Sequence, residues 1–321
     1  MEIRPYRGGD ERELVAVWNA SMVCDRISSQ IFHTKVLLDL NFQSINLPVA
    51  IEEDRVVGFV LALTRRVPFG PFGMQPERAW ITAFGVHPDY RRRGIGTALF
   101  AQLLQRLEAE KRTTIDISPY EPNYFAPGVD VNAYPQAISL LQQRFGFQIH
   151  EHAFSMGRDL SNYELPADIL VQERQLSQEG ITIQPFTAAD LPDLMNFLLD
   201  EFGWGWYDYY HASLLELCGG GPTKTDLLVA RQQGDVVGVS HHRDERFGPF
   251  GVRSDLRNRG IGRILLFRCL EAMAARHIYY AYFLWTEEEA ARLYARSGFQ
   301  RRREFAILHQ GRGEETAVAQ T

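Results

Sequence analysis

The chain lacks the features that mark secreted, membrane and nucleic-acid-binding proteins. It has only three cysteines, Cys24, Cys218 and Cys269, and their number and spacing fit neither a disulfide framework nor a zinc motif. No uncharged apolar run is long enough to span a bilayer, and the opening MEIRPYRGGDERELV is polar and charged. With 40 acidic against 34 basic side chains, it also lacks the basic excess of a nucleic-acid-binding protein. We therefore expect a cytoplasmic protein with no metal site that binds neither nucleic acid nor membrane.

What the chain does contain is enough apolar material for two cores. Its composition of 45% hydrophobic and 23% charged residues is that of a globular protein, and 321 residues suit two ordinary domains.

The sequence also repeats itself. IRPYRGGDERELVAVWN begins at Ile3, and the similar IQPFTAADLPDLMNFLL begins at Ile183, 183 − 3 = 180 residues later. The separation falls to 260 − 94 = 166 between Gly94 and Gly260, and falls again by 14 at a Gly-Phe turn near the end of each copy. The order of the matching segments is preserved, so the first copy contains two insertions.

These offsets predict the domain organisation. The insertions fall around residues 65–78 and 118–132, which are rich in proline, glycine and aromatic residues and are typical of loops. We expect one domain over residues 1–160, a linker over 161–180, a second domain over 181–310 and a disordered tail over 311–321.

Each repeat predicts a mixed α/β fold. Hydrophobic periodicity gives a strand and a helix, a β-meander, a second helix, a strand, a third helix and a last strand. In the second helix, leucines recur every four residues. The final segments, QIHEHAFSM and RREFAIL, are predicted to close their own repeats.

One stretch is repeated with high fidelity: YRRRGIGTALF begins at Tyr90 and LRNRGIGRILL at Leu256. Each places Arg-x-x-Gly-x-Gly between a predicted strand and a predicted helix. The first N–H groups of a helix lack internal partners and carry partial positive charge, and glycine lets a ligand approach the backbone closely. The stretch therefore predicts a phosphate site, most naturally for a diphosphate. It is not a Walker A loop, which needs Gly-Lys-Ser/Thr, and it lacks the third glycine of a Rossmann loop.

These features resemble the GNAT superfamily of acetyl-CoA-dependent N-acetyltransferases. The resemblance rests on FGVHPDYRRRGIGTALF and FGVRSDLRNRGIGRILLF, with LLQQRFGF and LYARSGF downstream, and covers nearly the whole chain. It implies two tandem GNAT-type domains, each with a mixed central sheet flanked by helices, and acetyl-CoA (CoA) as cosubstrate.

The resemblance also implies which residues hold the cosubstrate. In each repeat, the main chain at the end of the preceding strand would pair with the pantetheine arm and the loop would bind the diphosphate. The implied residues of the first repeat are Val86, Arg91, Arg92, Arg93, Gly94, Ile95, Gly96 and Thr97. Those of the second repeat are Val252, Arg257, Asn258, Arg259, Gly260, Ile261, Gly262 and Arg263.

For catalysis, the family often has a tyrosine four residues before the glycine of the Gly-Phe turn, where it protonates the leaving thiolate. The second repeat has Tyr294 there, whereas the first has Gln142, which cannot supply a proton. The general base is often a carboxylate on the strand before the loop, and Glu245 is the candidate in the second repeat. We therefore expect the second domain to be catalytic, with Tyr294 as acid and Glu245 as base.

The expected reaction is transfer of acetyl from acetyl-CoA to a primary amine of a small molecule by direct attack, in a monomer or homodimer. Two alternatives stay open. Tyr120, Tyr124 or Tyr134 in the first repeat could replace the missing tyrosine, which would make the first domain catalytic and the second degenerate. A non-catalytic acyl-CoA sensor is the other alternative.

Overall fold

A computed structural model of the protein describes residues 1–117, 119–220 and 225–311, which form two compact units. The first unit comprises residues 1–154 together with the chain from Arg303 to Gly311, and the second comprises residues 155–302.

The first unit is a mixed sheet with helices packed against it. Its strands are β1 (Glu2–Pro5), β2 (Pro48–Glu52), β3 (Arg55–Leu63), β4 (Arg78–Val86), β5 (Thr114–Ile117), the short β6 (Val129–Asp130) and the first part of β7 (Gln148–Asp159). Its helices are α1 (Glu11–Ser21), α2 (Ser29–Phe32), α3 (Ile95–Ala109) and α4 (Pro135–Phe145). The strand order is β1-β2-β3-β4-β5, antiparallel throughout except for the parallel pair β4–β5.

The second unit repeats this plan. It contains α5 (Ala167–Gln178), β8 (Ile181–Pro185), α6 (Leu191–Phe202), α7 (Trp204–Cys218), β9 (Thr225–Gln232), β10 (Asp235–Arg243), β11 (Arg246–Val252), α8 (Ile261–Ala275), β12 (Tyr280–Phe283) and α9 (Glu288–Arg296). Its strand order is β8-β9-β10-β11-β12, with β11–β12 parallel. The predicted mixed α/β class and the repeated element order are confirmed.

The two repeats exchange their last strands. The final strand of the chain, β13 (Gln300–Gly311), pairs antiparallel with β5 of the first unit, with Leu308 opposite Ile117, and also with β6. The end of β7 pairs with β12 of the second unit, with Met156 opposite Phe283. The expectation that each last strand closes its own repeat is therefore wrong. An alternating apolar pattern specifies a strand and its buried face, but not its partner.

The exchange also changes the expected domain boundaries. The compact units end the first contiguous segment at Phe154 rather than residue 160, and they place residues 303–311 with the first repeat. The predicted linker is largely helical, since α5 spans most of it. This helix buries Ile169 and Leu176 in the core of the second unit. The predicted tail lies outside the described residues except for Gly311, which belongs to β13.

Both cores form where the periodicity predicts them. On α3, Leu99, Leu103 and Leu107 are at most 1% exposed. Burying a leucine side chain contributes about 2 kcal/mol, so this helix face is a major part of the first core. A Cβ on Gly58 of β3 would lie 3.1 Å from the Leu99 side chain, so the glycine lets α3 pack closely on the sheet.

The two insertions of the first repeat pack on each other around a buried cation. Arg65 is 6% exposed, and its guanidinium carbon lies 4.3 Å from the ring centre of Phe69, 4.9 Å from Trp80 and 5.2 Å from Tyr120. It also donates to the Glu121 carbonyl at 3.2 Å. Cation–π contacts of a desolvated arginine therefore hold the two loops together.

Within the described parts of the chain, none of the helices combines the length and the apolar character that crossing a membrane requires.

Candidate active site

The two Arg-x-x-Gly-x-Gly loops have the same backbone conformation. The second residue is left-handed in both, with φ 63° at Arg92 and 64° at Asn258, and the fourth is a left-handed glycine, with φ 81° at Gly94 and 90° at Gly260. Glycine adopts this region without strain, which explains its presence at the fourth position. Each loop then begins a helix of 15 residues. The duplicated sequence thus builds the same turn twice, with the free N–H groups of a helix start behind it.

The first arginine of each loop fastens the turn to the preceding strand. Nε of Arg91 donates to the Val86 carbonyl at 3.1 Å, and Nε of Arg257 donates to the Val252 carbonyl at 3.3 Å. Arg91 also donates to the main-chain carbonyl of Ser21 at 3.3 Å, which ties the loop to the end of α1. These two arginines therefore hold the loop in place.

Strand β4 has an open edge beside the first loop. It pairs with β5 only from Arg78 to Ile81 within the described residues, while its other edge stays paired with β3 as far as Val86. The strands thus diverge beyond Ile81 within the described residues, and one edge of the main chain near Val86 is not paired with β5.

A cavity of about 860 Å³ lies along this open edge, within the range of small-molecule and cofactor sites. It contacts every residue predicted for the first site except Arg93, namely Val86, Arg91, Arg92, Gly94, Ile95, Gly96 and Thr97. Arg93 instead lies 3.6 Å from a Glu52 carboxylate oxygen. The chemistry of the lining, amides and arginines at one end and apolar side chains beyond, suits a diphosphate with a long arm.

Thr82 lies in the wall of this cavity, where β4 is irregular. The register between β3 and β4 shifts as the partners change from Leu61–Ala83 to Ala62–Ile81, so Thr82 is the extra residue of a bulge. Its side chain is 8% exposed, and its hydroxyl has no hydrogen-bond partner among the described residues. A bulge re-aims a side chain, and a buried hydroxyl without a partner is a candidate donor to a ligand oxygen.

Tyr134 and Asp25 form the polar part of the same wall. The Tyr134 hydroxyl donates to Oδ2 of Asp25 at 3.0 Å and accepts from the Cys24 N–H at 3.0 Å. Burial, followed by the charge of Asp25, raises the pKa of Tyr134 well above its ordinary value, so the phenol stays protonated at neutral pH. Of the three tyrosines considered as replacements in the first repeat, Tyr134 is the one in the cavity wall, whereas Tyr120 is fully buried against Trp80.

In the second unit, carboxylates of α5 and the turn after it approach the loop. Arg259 forms an ion pair with Glu179, and Arg263 forms one with Asp168 at 2.8 Å. Gln172, also on α5, accepts from Arg263 at 2.9 Å. The positive charge that would attract a diphosphate is thus partly neutralised by the chain itself.

Partly exposed aromatic rings line the corresponding region of the second unit. A Cβ on Gly251 would lie 2.3 Å from the Phe202 ring, and one on Gly262 would lie 3.4 Å from Phe250. Tyr294 packs into this cluster, with its ring centre 4.4 Å from that of Phe283 and 5.8 Å from that of Phe250. Burial raises the pKa of Tyr294 as well. The predicted acid of the second repeat thus packs against an aromatic cluster and is partly buried, as Tyr134 is in the first unit.

The predicted base of the second repeat is exposed. Glu245 lies in the turn between β10 and β11, at the end of β11 opposite to Val252 and the loop. Seven residues of strand span about 23 Å, so Glu245 does not share a local site with the loop amides. Its exposed turn does not favour Glu245 as a catalytic group, and the roles of Glu245 and Tyr294 remain predictions.

Sequence reasoning missed three residues of the first site. Thr82 had a usable signal, because it lies on the strand that ends at Val86. Asp25 follows α1 in a segment without a motif. Arg303 lies in the other repeat, and its guanidinium pairs with the Asp25 carboxylate at 2.7 Å. Asp25 and Arg303 could not be found without knowledge of the strand exchange.

Comparison with known proteins identifies the family. The model of the acetyltransferase (GNAT) family matches residues 16–147, and that of a second acetyltransferase (GNAT) domain matches residues 223–301. No curated protein sequence matches the chain.

Three similar solved structures cover almost the whole chain. A GCN5-related glucosamine N-acetyltransferase region of a fungal multi-domain GH3 β-N-acetylglucosaminidase has a TM-score of 0.77 at 20% identity, over 96% of this chain and 38% of that one. The present chain therefore spans well under half of that protein. A GCN5-related N-acetyltransferase from Sphaerobacter thermophilus has a TM-score of 0.72 at 18% identity, over 100% and 98% of the two chains. A tandem GNAT protein from the clavulanic acid biosynthesis pathway has a TM-score of 0.63 at 17% identity, over 98% and 99%.

At these identities the solved structures show a shared fold, while the family models match both repeats and the loops that begin α3 and α8. The chain belongs to the GNAT family as a tandem protein with two GNAT domains, and it is an acetyltransferase.

Proposed function

We propose that the protein transfers the acetyl group of acetyl-CoA to a primary amine of a small molecule, and that the reaction takes place in the first unit. The cavity of about 860 Å³ that joins the first loop, the open edge of β4, Thr82 and Tyr134 carries this proposal. In the second unit, aromatic rings line the region beside the loop, and carboxylates of the chain pair with two of the loop arginines.

The residues of the first site fit acetyl-CoA, which enzymes of this family use as cosubstrate and which supplies the acetyl thioester. The free amides from Gly94 to Thr97 would hold the diphosphate, helped by the positive end of α3. The open edge of β4 near Val86 would hold the pantetheine arm by main-chain hydrogen bonds. Gly96 leaves room for this approach, because a Cβ there would lie 3.7 Å from the Leu140 and Val86 side chains.

Two hydroxyl groups would serve the chemical step. The buried hydroxyl of Thr82 would donate to the carbonyl oxygen of the acetyl group, where negative charge develops as the amine attacks. For this step the Tyr134 O–H would turn from Asp25 to the sulfur and give its proton there as the carbon–sulfur bond breaks. Solvent would take the proton that the amine loses and return one to Tyr134. One carbon–nitrogen bond forms, one proton leaves the amine, and the products are an amide and free CoA.

This assignment departs from the preference for the second repeat that the tyrosine pattern suggested. Tyr294 matches the family position and packs against an aromatic cluster, whereas Tyr134 lies at a different position in the sequence but in the wall of the cavity, beside Asp25. We propose glucosamine as the first acceptor to test, because the fungal relative is named for that substrate.

Two further properties stay proposals. The three cysteines are free thiols, with Cys24 and Cys218 exposed, which suits a reducing compartment such as the cytoplasm. Whether the protein is a monomer or a homodimer is to be tested by sedimentation.

A matched pair of variants tests the proposed site. Gly96→Glu and Gly262→Glu each place a carboxylate in the first turn of the helix that follows the loop, where an acid does not destabilise a helix. A carboxylate about 4 Å from a phosphate costs about 1 to 4 kcal/mol per charge pair. We therefore expect Gly96→Glu to weaken CoA binding, measured by calorimetry, by about 100-fold and to abolish thiol release from acetyl-CoA.

Gly262→Glu serves as the control, and we expect it to leave both quantities near those of the wild type. The reverse pattern, with loss only in Gly262→Glu, would move the reaction to the second unit and overturn the proposal.

A further inference from the structure

Arg303 is supplied to the first unit by the last strand of the second repeat. It lies on β13, next to the segment that pairs with β6 and β5. Its guanidinium carbon lies 4.6 Å from the ring centre of Phe305, so the side chain is supported from its own strand.

Arg303 joins two buried carboxylates. Its Nη1 and Nη2 atoms lie 2.7 and 2.9 Å from the two oxygens of Asp25, in a bidentate pair. Its Nε donates to Oδ2 of Asp130 at 2.6 Å. The side chains of Asp25 and Asp130 are 7% and 5% exposed. Two carboxylates this deeply buried need a shared cation, and among basic groups arginine has the planar fork that reaches both.

Both aspartates hold Tyr134, Asp25 through its carboxylate and Asp130 through its main-chain carbonyl. Asp25 accepts from the Tyr134 hydroxyl at 3.0 Å. Asp130 accepts at 2.9 Å from each of the N–H groups of Asn132 and Ala133, and its carbonyl accepts from the Tyr134 N–H at 3.0 Å. The backbone and the hydroxyl of Tyr134 are therefore fixed through two different partners of one guanidinium.

We propose that Arg303 is a positioning residue for acetyl transfer in the first unit, acting through Asp25 and Asp130 to hold the Tyr134 phenol at the cavity wall. This inference rests on the proposed function, in which Tyr134 is the proton donor. It makes turnover in the first unit depend on a residue encoded at the end of the second repeat.

Arg303→Lys tests this inference because it keeps the charge and removes the bidentate fork. Arg301→Met is the matched control, since Arg301 lies on the same strand in an exposed ion pair with Glu288 at 2.7 Å. We expect Arg303→Lys to lower kcat for thiol release from acetyl-CoA, with glucosamine or water as acceptor, by at least tenfold with little change in the KM for acetyl-CoA. Arg301→Met is expected to match the wild type in both.

A double variant separates positioning from a general loss of structure. If Arg303 acts through Tyr134, Arg303→Lys has no further effect on kcat in a Tyr134→Phe background. Equal losses in both backgrounds, or an unchanged kcat in Arg303→Lys alone, would overturn the inference.

A readout without turnover completes the test. In protein labelled with ¹³C at the tyrosine Cζ, the resonance that disappears in Tyr134→Phe reports the phenol hydrogen bond. We expect this resonance to shift in Arg303→Lys and not in Arg301→Met, and an unshifted resonance in Arg303→Lys would overturn the inference. Full activity in both Tyr134→Phe and Gly96→Glu would instead refute the proposed function itself, because it would show that the chemistry lies elsewhere.

Discussion

His241 makes the second unit sensitive to acid. It lies on β10 with no exposed surface, and its Nε2 is 3.3 Å from the Ser213 hydroxyl oxygen. Burial, followed by the positive charge of neighbours such as His242 and Arg246, lowers the pKa of His241 from 6.5 to about 3. The folded protein therefore keeps this ring neutral at any pH above about 3, whereas the unfolded chain protonates it below about pH 6.5.

The sign and size of the effect follow from this difference. Between the two pKa values the unfolded state binds more protons, so stability is complete above pH 6.5 and is lost as the pH falls. Each pH unit in this window costs about 1.4 kcal/mol, so His241 alone removes about 2 kcal/mol between pH 7.5 and pH 5.0.

His241→Gln isolates this contribution, because glutamine can bond to Ser213 but does not titrate. We expect the free energy of unfolding in urea to fall by about 2 kcal/mol less in this variant than in the wild type between pH 7.5 and 5.0. His150→Gln, which replaces an exposed histidine of β7, is expected to behave as the wild type. Equal losses in the wild type and in His241→Gln would refute the reasoning, because they would show that the ring is already charged or reaches solvent in the fold.

Two further predictions concern the first unit. Gly85→Ala should destabilise it by about 1 to 3 kcal/mol, because the new Cβ would lie 2.0 Å from the Ser21 hydroxyl oxygen. Adding Ser21→Gly should restore most of the lost free energy of unfolding, measured by urea denaturation. A double variant as unstable as Gly85→Ala would contradict the predicted clash. Arg65→Met should cost about 2 kcal/mol or more through the lost cation–π contacts, whereas Arg66→Met, at the exposed neighbour, should change the melt by less than about 0.5 kcal/mol. Equal effects of these two arginine variants would show that the aromatic box around Arg65 contributes nothing.

Much of the fold was predictable because it depends on local patterns. The leucine spacing of α3, the strand-to-helix loops and the two insertions follow from periodicity and turn chemistry, and each is found where expected. The partner of β13 was not predictable. Its pattern fits either repeat, and the choice depends on which sheet edge it meets in three dimensions.

The candidate site divides in the same way. The residues from Arg91 to Thr97 form a continuous motif, and all of them except Arg93 contact the cavity. Tyr134, Asp25 and Arg303 come together only through tertiary structure, so spacing could not single them out. Tyr294 shows the converse, because its position in the sequence matches the family pattern, whereas the aromatic cluster around it becomes visible only in the fold.

The strand exchange has a consequence for how the protein is made. Leu308 pairs with Ile117 but follows it in the sequence by 308 − 117 = 191 residues. The edge of β5 that pairs with β13 therefore stays unpaired until those residues have been synthesised. During synthesis on the ribosome, the amino-terminal half therefore emerges with a bare sheet edge and without the arginine that neutralises its two buried aspartates. Completion of the first domain thus follows synthesis of β13, and a translation product that stops before this strand would expose an unpaired sheet edge that can aggregate.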